Sequence, residues 1–349
     1  MNDTLAIDQQ DCLSPGAPHH VSLVAFPEAV MSTITGIYDV LNAITMMGIG
    51  QPGAPPPFRV EIVGQTPGVL NLTSGVPIPV QRAIDTVENT QIVIVPAVLL
   101  GADGWQQARY PELVRWLKQM HAHGALLCSA CSGVFLLAET GLFDGKDATV
   151  HFVYAQTFAA SYPAIPIHPE RVLVVSGSHE ELVSSGASMS WHDLVLYLIV
   201  RFAGAATAQD VARLFALQWH QDGLTPYIMF EGNQEHGDGE ILDAQQWLAE
   251  HFSMAHPVEE MIRRSRMAER TFKRHFASAT GLTPIAYVQR LRIEDAKRRL
   301  ERTSCSVDEI SWRIGYEDAA FFRRLFKRIT GLTPSAYRKR FRIPGFAQR

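Results

Sequence analysis

Thr280-Gly-Leu-Thr-Pro-Ile-Ala-Tyr287 and Thr330-Gly-Leu-Thr-Pro-Ser-Ala-Tyr337 are one phrase written twice, 50 residues apart. The offset continues upstream, where Phe272, Arg274 and Phe276 recur as Phe322, Arg324 and Phe326. Self-similarity at a fixed period means one supersecondary unit built twice. In each copy two Phe residues four apart mark the inward face of an amphipathic helix, which turns Arg and Lys outward. The spacing predicts helices over Val258–Ser265 and Ala268–Ala277 in the first copy. It predicts Val307–Ile314 and Asp318–Ile329 in the second, after a turn at Gly315-Tyr316-Glu317. A longer helix, Pro284–Leu300, joins the two copies at a fixed separation.

Charge points the same way. From His256 to Arg349 there are 22 Lys+Arg against 10 Asp+Glu, a net of +12. The rest of the chain holds nine of the 31 basic residues and 25 of the 35 acidic ones, a net of −16. A formal charge of −4 therefore conceals two bodies of opposite sign. A basic body built from paired amphipathic helices is suited to a polyanion, and nucleic acid is the obvious one. A recognition helix enters the major groove with its early residues at base edges, where Arg grips guanine bidentately.

A chain of 349 residues with 47% hydrophobic content buries two or three cores. No apolar run approaches the roughly 18 residues that a membrane span requires. Residues 1–20 are polar and punctuated by Pro and Gly, and are expected to form a disordered tail rather than a signal peptide. Four cysteines make no disulfide framework in a chain of this size, which fits a reducing, cytoplasmic setting.

From Val21 to Phe230 short apolar runs alternate with helical patterns, the signature of a mostly parallel sheet covered by helices. Strands are expected at Val21–Phe26, Arg59–Val63, Gln91–Val95, Ala125–Ala130 and Val172–Val175. Helices are expected at Thr33–Met46, Pro111–His121, Ser132–Thr140, Trp191–Phe202 and Ala208–Leu217. Glu231–Gly239 (EGNQEHGDG) carries no apolar residue and three glycines, and reads as a linker before an all-helical body at 240–349.

Within the first body, Ala125 to Ala138 runs from an apolar strand directly into a helix, with Cys131 at the bend. A residue on such an elbow is expected to be exposed, with its thiolate favoured by the helix N-terminus. Gly133 lets the helix pack close to the strand. Other readings of Cys131 remain: a buried small hydrophobe, or one half of a Cys128-x-x-Cys131 redox pair. His151 is equally readable as a packed, hydrogen-bonded histidine. Trp191-His192-Asp193 opens a helix, where an acidic residue suits the positive end. No second Cys/His pair has ligand spacing, so no metal and no cofactor are expected.

Glu240–Phe341 resembles the AraC/XylS helix-turn-helix domain over its whole length, in both GLTPxAY closures, in Leu291–Leu300 (LRIEDAKRRL) and in Tyr337-Arg338. The resemblance implies double-stranded DNA as a partner and a dimer covering two half-sites, each about one helical turn. By position, Arg270, Lys273 and Arg274 in the first reader and Ala320, Arg323 and Arg324 in the second meet bases or phosphates. Ala320 can offer only a methyl contact. RNA polymerase is a further partner if the protein activates.

The elbow, together with Phe26-Pro27, Gly141–Gly145, Ala148–His151 and Ser185-Gly186-Ala187, resembles the PfpI/GlxA branch of the class I glutamine amidotransferase-like superfamily over Val21–Phe230. That implies an α/β, flavodoxin-like sandwich that dimerises and senses a small molecule of the amino acid or quaternary amine class. The implied pocket is lined by Cys131, Ser132, His151, Thr33, Ala97 and Val98. Enzymes of the superfamily place a carboxylate at the start of the first helix, where this chain reads Met31-Ser32-Thr33; Glu28 falls before the helix. The usual Gly-Gly after the third strand is replaced by Ala97-Val98. The pair Cys131 and His151 thus reads as vestigial, and catalysis as lost. The alternative is a Cys131-dependent hydrolase, hydratase or glyoxalase-type enzyme fused to a DNA-binding domain.

Overall fold

The structure is a computed structural model and describes residues 17–50, 55–101, 103–344 and 347. It divides into two compact units between Leu224 and Thr225. Most of the expected disordered tail lies outside the described residues, but its last four residues do not. His19 and His20 open the first strand, with the His19 ring 4.6 Å from Phe202 and His20 Nε2 2.6 Å from Glu61.

In the first unit β1 (His19–Val24) leads through α1 (Met31–Met46) to β2 (Phe58–Gly64), the hairpin β3 (Gly68–Asn71) and β4 (Pro77–Val80), and the short β5 (Arg82–Ala83). There follow β6 (Ile92–Val95), α2 (Pro111–Ala122), β7 (Leu126–Ala130), α3 (Val134–Ala138), α4 (Ala155–Ser161), β8 (Leu173–Ser176), β9 (Leu182–Ser185), α5 (Trp191–Ala203) and α6 (Ala205–Leu214). Seven strands form one sheet in the order β5-β2-β1-β6-β7-β9-β8. All neighbours are parallel except β8 against β9. Strands covered on both faces must be apolar throughout, and Ile92–Val95 is buried at every position. The expected α/β architecture is therefore present.

The expected strands and helices are found with shifted ends. The elbow helix is divided, with a 3-10 turn at Cys131–Gly133 before α3. Two glycines permit close packing. A Cβ on Gly133 would lie 2.3 Å from the carbonyl oxygen of Pro96, and one on Gly36 would lie 2.6 Å from the Trp191 ring.

The second unit is helical: α7 (Gly239–His251), α8 (Pro257–Ser265), α9 (Glu269–Thr280), α10 (Pro284–Arg302), α11 (Val307–Arg313), α12 (Ala319–Thr330) and α13 (Pro334–Phe341). Each Thr-Gly-Leu-Thr-Pro phrase is a helix stop followed by a restart. Gly281 and Gly331 end α9 and α12 in the left-handed region, at φ +72 and +79. Thr283 and Thr333 then accept the N–H groups of Ala286 and Ala336 as N-caps, with Pro at the first helical position. One core gathers Phe272, Phe276 and Tyr287, and a second gathers Phe322, Phe326 and Tyr337. The expected linker residues are tied into this unit. Asn233 donates to Ala279 O and its own carbonyl accepts from Gln245 Nε2. Among the described residues no helix is long and apolar enough to cross a membrane.

Candidate functional site

In a sheet of this kind the chain order reverses between β1 and β6, and ligands take the crevice at the carboxyl ends of those strands. Here the two loops that flank the crevice are stitched together. Val30 N–H donates to Ala97 O and Leu99 N–H to Glu28 O, each at 2.8 Å, with Ala29 bridged to Val98. Ser132 locks the second loop to the elbow. Its hydroxyl accepts from Val98 N–H and donates to Val98 O, both at 2.8 Å.

Cys131 sits at the bend with φ +54, a strained conformation for a residue with a Cβ. Contrary to the expectation of an exposed elbow, it is only 2% exposed, with Ser188 of the segment after β9 against its sulfur. Burial pushes its thiol pKa up, against the opposing hydrogen bonds of Ser188 and Ser132. Burial thus opposes the dipole-favoured thiolate that the elbow suggests. Among the described residues Cys131 Sγ hydrogen-bonds to Ser188 Oγ at 3.6 Å and not to His151. His151 Nδ1 instead accepts the N–H of Val153 at 3.2 Å, and burial lowers the imidazole pKa. Cys128 is a second free, buried thiol, its pKa likewise raised by burial.

Of the six residues expected to line a pocket, Thr33, Ala97, Val98, Cys131 and Ser132 are buried, and His151 alone is partly open. Ser132 and Val98 are brought together, while His151 faces its own turn. Sequence reasoning missed Ser188 and also Tyr154, whose phenol is raised by burial and by the nearby Cys131. Glu28 is occupied elsewhere, accepting from Tyr110 and pairing with Arg109 at 2.5 Å. Among the described residues one group has ligand atoms close enough to share a metal ion: His192, Asp193 and His220. No spacing signal marks it, since the third member stands 27 residues beyond the second.

In the second unit Arg270, Lys273, Arg274, Ala320, Arg323 and Arg324 are all exposed on α9 and α12. Asp318 caps α12 by accepting from Ala320 and Phe321 N–H, bonds that hold its carboxyl below the usual range. Lys273 is paired with Glu269 at 2.5 Å and Arg323 with Asp308 of α11. Arg292, on α10, is the buried link between the two helix-turn-helix halves. Its guanidinium donates to the carbonyls of Phe252 (2.8 Å), Met254 (2.7 Å) and Gly315 (2.9 Å) and lies 4.8 Å from the Tyr316 ring centre.

Residues 31–195 match the DJ-1/PfpI family and residues 261–340 match a helix-turn-helix domain. Among curated proteins the chain is similar to the HTH-type transcriptional regulator CdhR of Pseudomonas aeruginosa, 26% identical across 76% of this chain and 77% of that protein. It is also similar to ArgR, an HTH-type transcriptional regulator of the same species, at 23% identity across 69% and 72%. Among solved structures, an AraC family transcriptional regulator from Pseudomonas putida covers 57% of this chain and 100% of its own, at 18% identity and TM-score 0.48. The two matched segments fall in the two compact units, one in each. The chain thus carries a segment similar to the DJ-1/PfpI family in its first unit and a helix-turn-helix domain in its second.

Proposed function

We infer that the protein is a DNA-binding transcriptional regulator whose DJ-1/PfpI unit senses a small metabolite instead of catalysing a reaction. The observation that carries the reading is the pair of helices α9 and α12, each with exposed basic residues, set on one unit rich in positive charge. Arg270, Lys273 and Arg274, with Ala320, Arg323 and Arg324, form the proposed DNA face. Arg and Lys contacts to phosphate position such a face, and contacts to base edges give it sequence preference.

Three features support loss of catalysis. The thiol is buried, which pushes its pKa up, His151 is turned to its own backbone, and the Val98 N–H that would face an oxyanion already serves Ser132. The effector is placed in the crevice above Cys131, Ser132, Thr33, Ala97 and Val98, with His151 as the accessible polar group, once the stitched loops part. Relatives named as transcriptional regulators favour this over the enzyme. An amino acid or quaternary amine as effector, a homodimer, a cytoplasmic setting and RNA polymerase as partner complete the proposal. Ligand acts by preferring one dimer arrangement, and its effect is bounded by that preference.

Selection of random duplexes by the full-length protein tests the first half. Enrichment of a two-part site is expected, and recovery of unenriched sequence would remove the DNA reading. Thermal shift against amino acids and betaines tests the second, where a ligand at hundredfold its Kd adds about 2.7 kcal/mol. Turnover lost in Cys131→Ala would restore the enzyme.

A further inference from the structure

The dipeptide Trp191-His192 at the start of α5 returns as Trp219-His220 in the segment that closes the first unit. The fold stacks the two imidazoles, with ring centres 5.0 Å apart, and sets Asp193 against both. Asp193 Oδ2 lies 2.6 Å from His220 Nδ1 and 3.5 Å from His192 Nε2. Its other oxygen, Oδ1, accepts the backbone N–H of His220 at 3.0 Å. One ligand atom from each of the three residues falls within 4.8 Å of the others. Asp193 is 3% exposed and His192 9%.

An acidic residue in the first turn of α5 is explained by the helix dipole, but that explanation needs no histidine. His220 alone meets both carboxylate oxygens, through its backbone N–H and Nδ1, so the approach of His192 Nε2 to Oδ2 is additional to that pair. Two imidazoles and one carboxylate are the donor set of three-ligand transition-metal sites that keep a position open. Zinc binds such atoms at about 2.0–2.2 Å, which places neighbouring ligand atoms roughly 3.3–3.5 Å apart in a tetrahedron. The His192–Asp193 separation already meets this. The His220–Asp193 separation is a hydrogen bond that an ion would open.

We propose that His192 Nε2, Asp193 Oδ2 and His220 Nδ1 form a binding site for one divalent transition-metal ion, with zinc as the best match. Hard cations that demand oxygen ligands do not suit it. Without the ion, His192 Nε2 lies 2.9 Å from Gln218 O and donates to it. On binding, His192 Nε2 and His220 Nδ1 turn a lone pair to the ion, a proton on either atom moves to the other ring nitrogen or to solvent, and no redox change is involved. The ion would staple the segment carrying His220 to the start of α5. That segment ends at Leu224, after which the second unit begins.

The test is Co2+ titration of chelator-treated, full-length protein, followed by visible absorption, with Zn2+ as competitor. The site requires d–d bands that saturate at one equivalent per chain, lack thiolate charge transfer and are displaced by Zn2+. His192→Ala and His220→Ala should each weaken binding at least as much as the roughly 10–100-fold cost of losing an outer partner. Cys131→Ala should leave the titration unchanged. If an Ala variant fails to fold, Asp193→Asn keeps an acceptor for the His220 N–H and supplies the comparison. Absence of bands overturns the proposal. So do bands that survive His220→Ala or disappear in Cys131→Ala.

Discussion

Ser132 Oγ engages both backbone polar groups of Val98, accepting from its N–H and donating to its C=O at 2.8 Å each. One hydroxyl thereby holds the loop after β6 against the elbow, in a place where both residues are buried. Ser132→Ala strands a buried N–H and a buried C=O, each of which costs free energy when unpaired. The expected loss is about 1–3 kcal/mol of stability for the first unit, read from urea unfolding of the full chain. A neutral result would mean that water or a shifted loop repairs the pair.

Cys131 should be a slow thiol. Burial raises the pKa values of Cys131 and Cys128 above the usual value of 9.0, so the folded chain holds these protons to higher pH than the unfolded chain does. The resulting stability is complete below the ordinary thiol pKa and declines as pH rises beyond it toward the folded values. Two outcomes are expected. Iodoacetamide near neutral pH should label the half-buried Cys305 before Cys131, as mass spectrometry would report. The thermal midpoint should also fall above roughly pH 9, and fall less in Cys131→Ala. Fast labelling of Cys131 would restore the reactive elbow.

Arg292 should matter more than any exposed arginine. Its guanidinium satisfies three carbonyls from two separate segments, Phe252 and Met254 on one side and Gly315 on the other. Arg292→Ala orphans all three and is expected to cost at least about 2 kcal/mol, since bonds to a charged donor are the stronger kind. Lys cannot reproduce the planar fork, so Arg292→Lys should recover only part. DNA affinity should fall in both variants, with an unchanged salt slope, because no phosphate contact is removed. A reduced slope would instead place Arg292 at the DNA.

How far the sequence carried these conclusions depends on how local each signal is. The repeat was legible because Gly281, Thr283 and Pro284 act on their own backbone, and the same chemistry recurs at Gly331, Thr333 and Pro334. The strand Ile92–Val95 was legible because burial on both faces admits only apolar residues. Leu182–Ser185 was not, since two serines break the apolar run. They are accommodated by long-range bonds, Ser184 accepting from Thr149 N–H and Ser185 donating to Ser129 O. The elbow was visible as a strand running into a helix. Its burial was not, because Ser188, the residue against the sulfur, stands 57 positions further along the chain. The convergence of His192, Asp193 and His220 is invisible for the same reason.

The six exposed residues on the reader helices divide by their present partners. Lys273 and Arg323 are held by Glu269 and Asp308, so each must give up an ion pair to meet DNA. Exposed pairs are worth little, and their loss offsets only a small part of a phosphate contact. Arg274 and Arg324 occupy matching positions in the two copies and are exposed. Arg274→Ala and Arg324→Ala should therefore show the larger losses. A residue touching phosphate lowers affinity for every sequence and reduces the slope of log K against log salt by about 0.9. A residue gripping a base costs about 1–3 kcal/mol at one position of the site and leaves other sequences nearly untouched. Fluorescence anisotropy on the selected site and on a scrambled duplex, across a salt series, separates the two roles. Wild-type binding by both variants would mean that α9 and α12 present a different face to the groove.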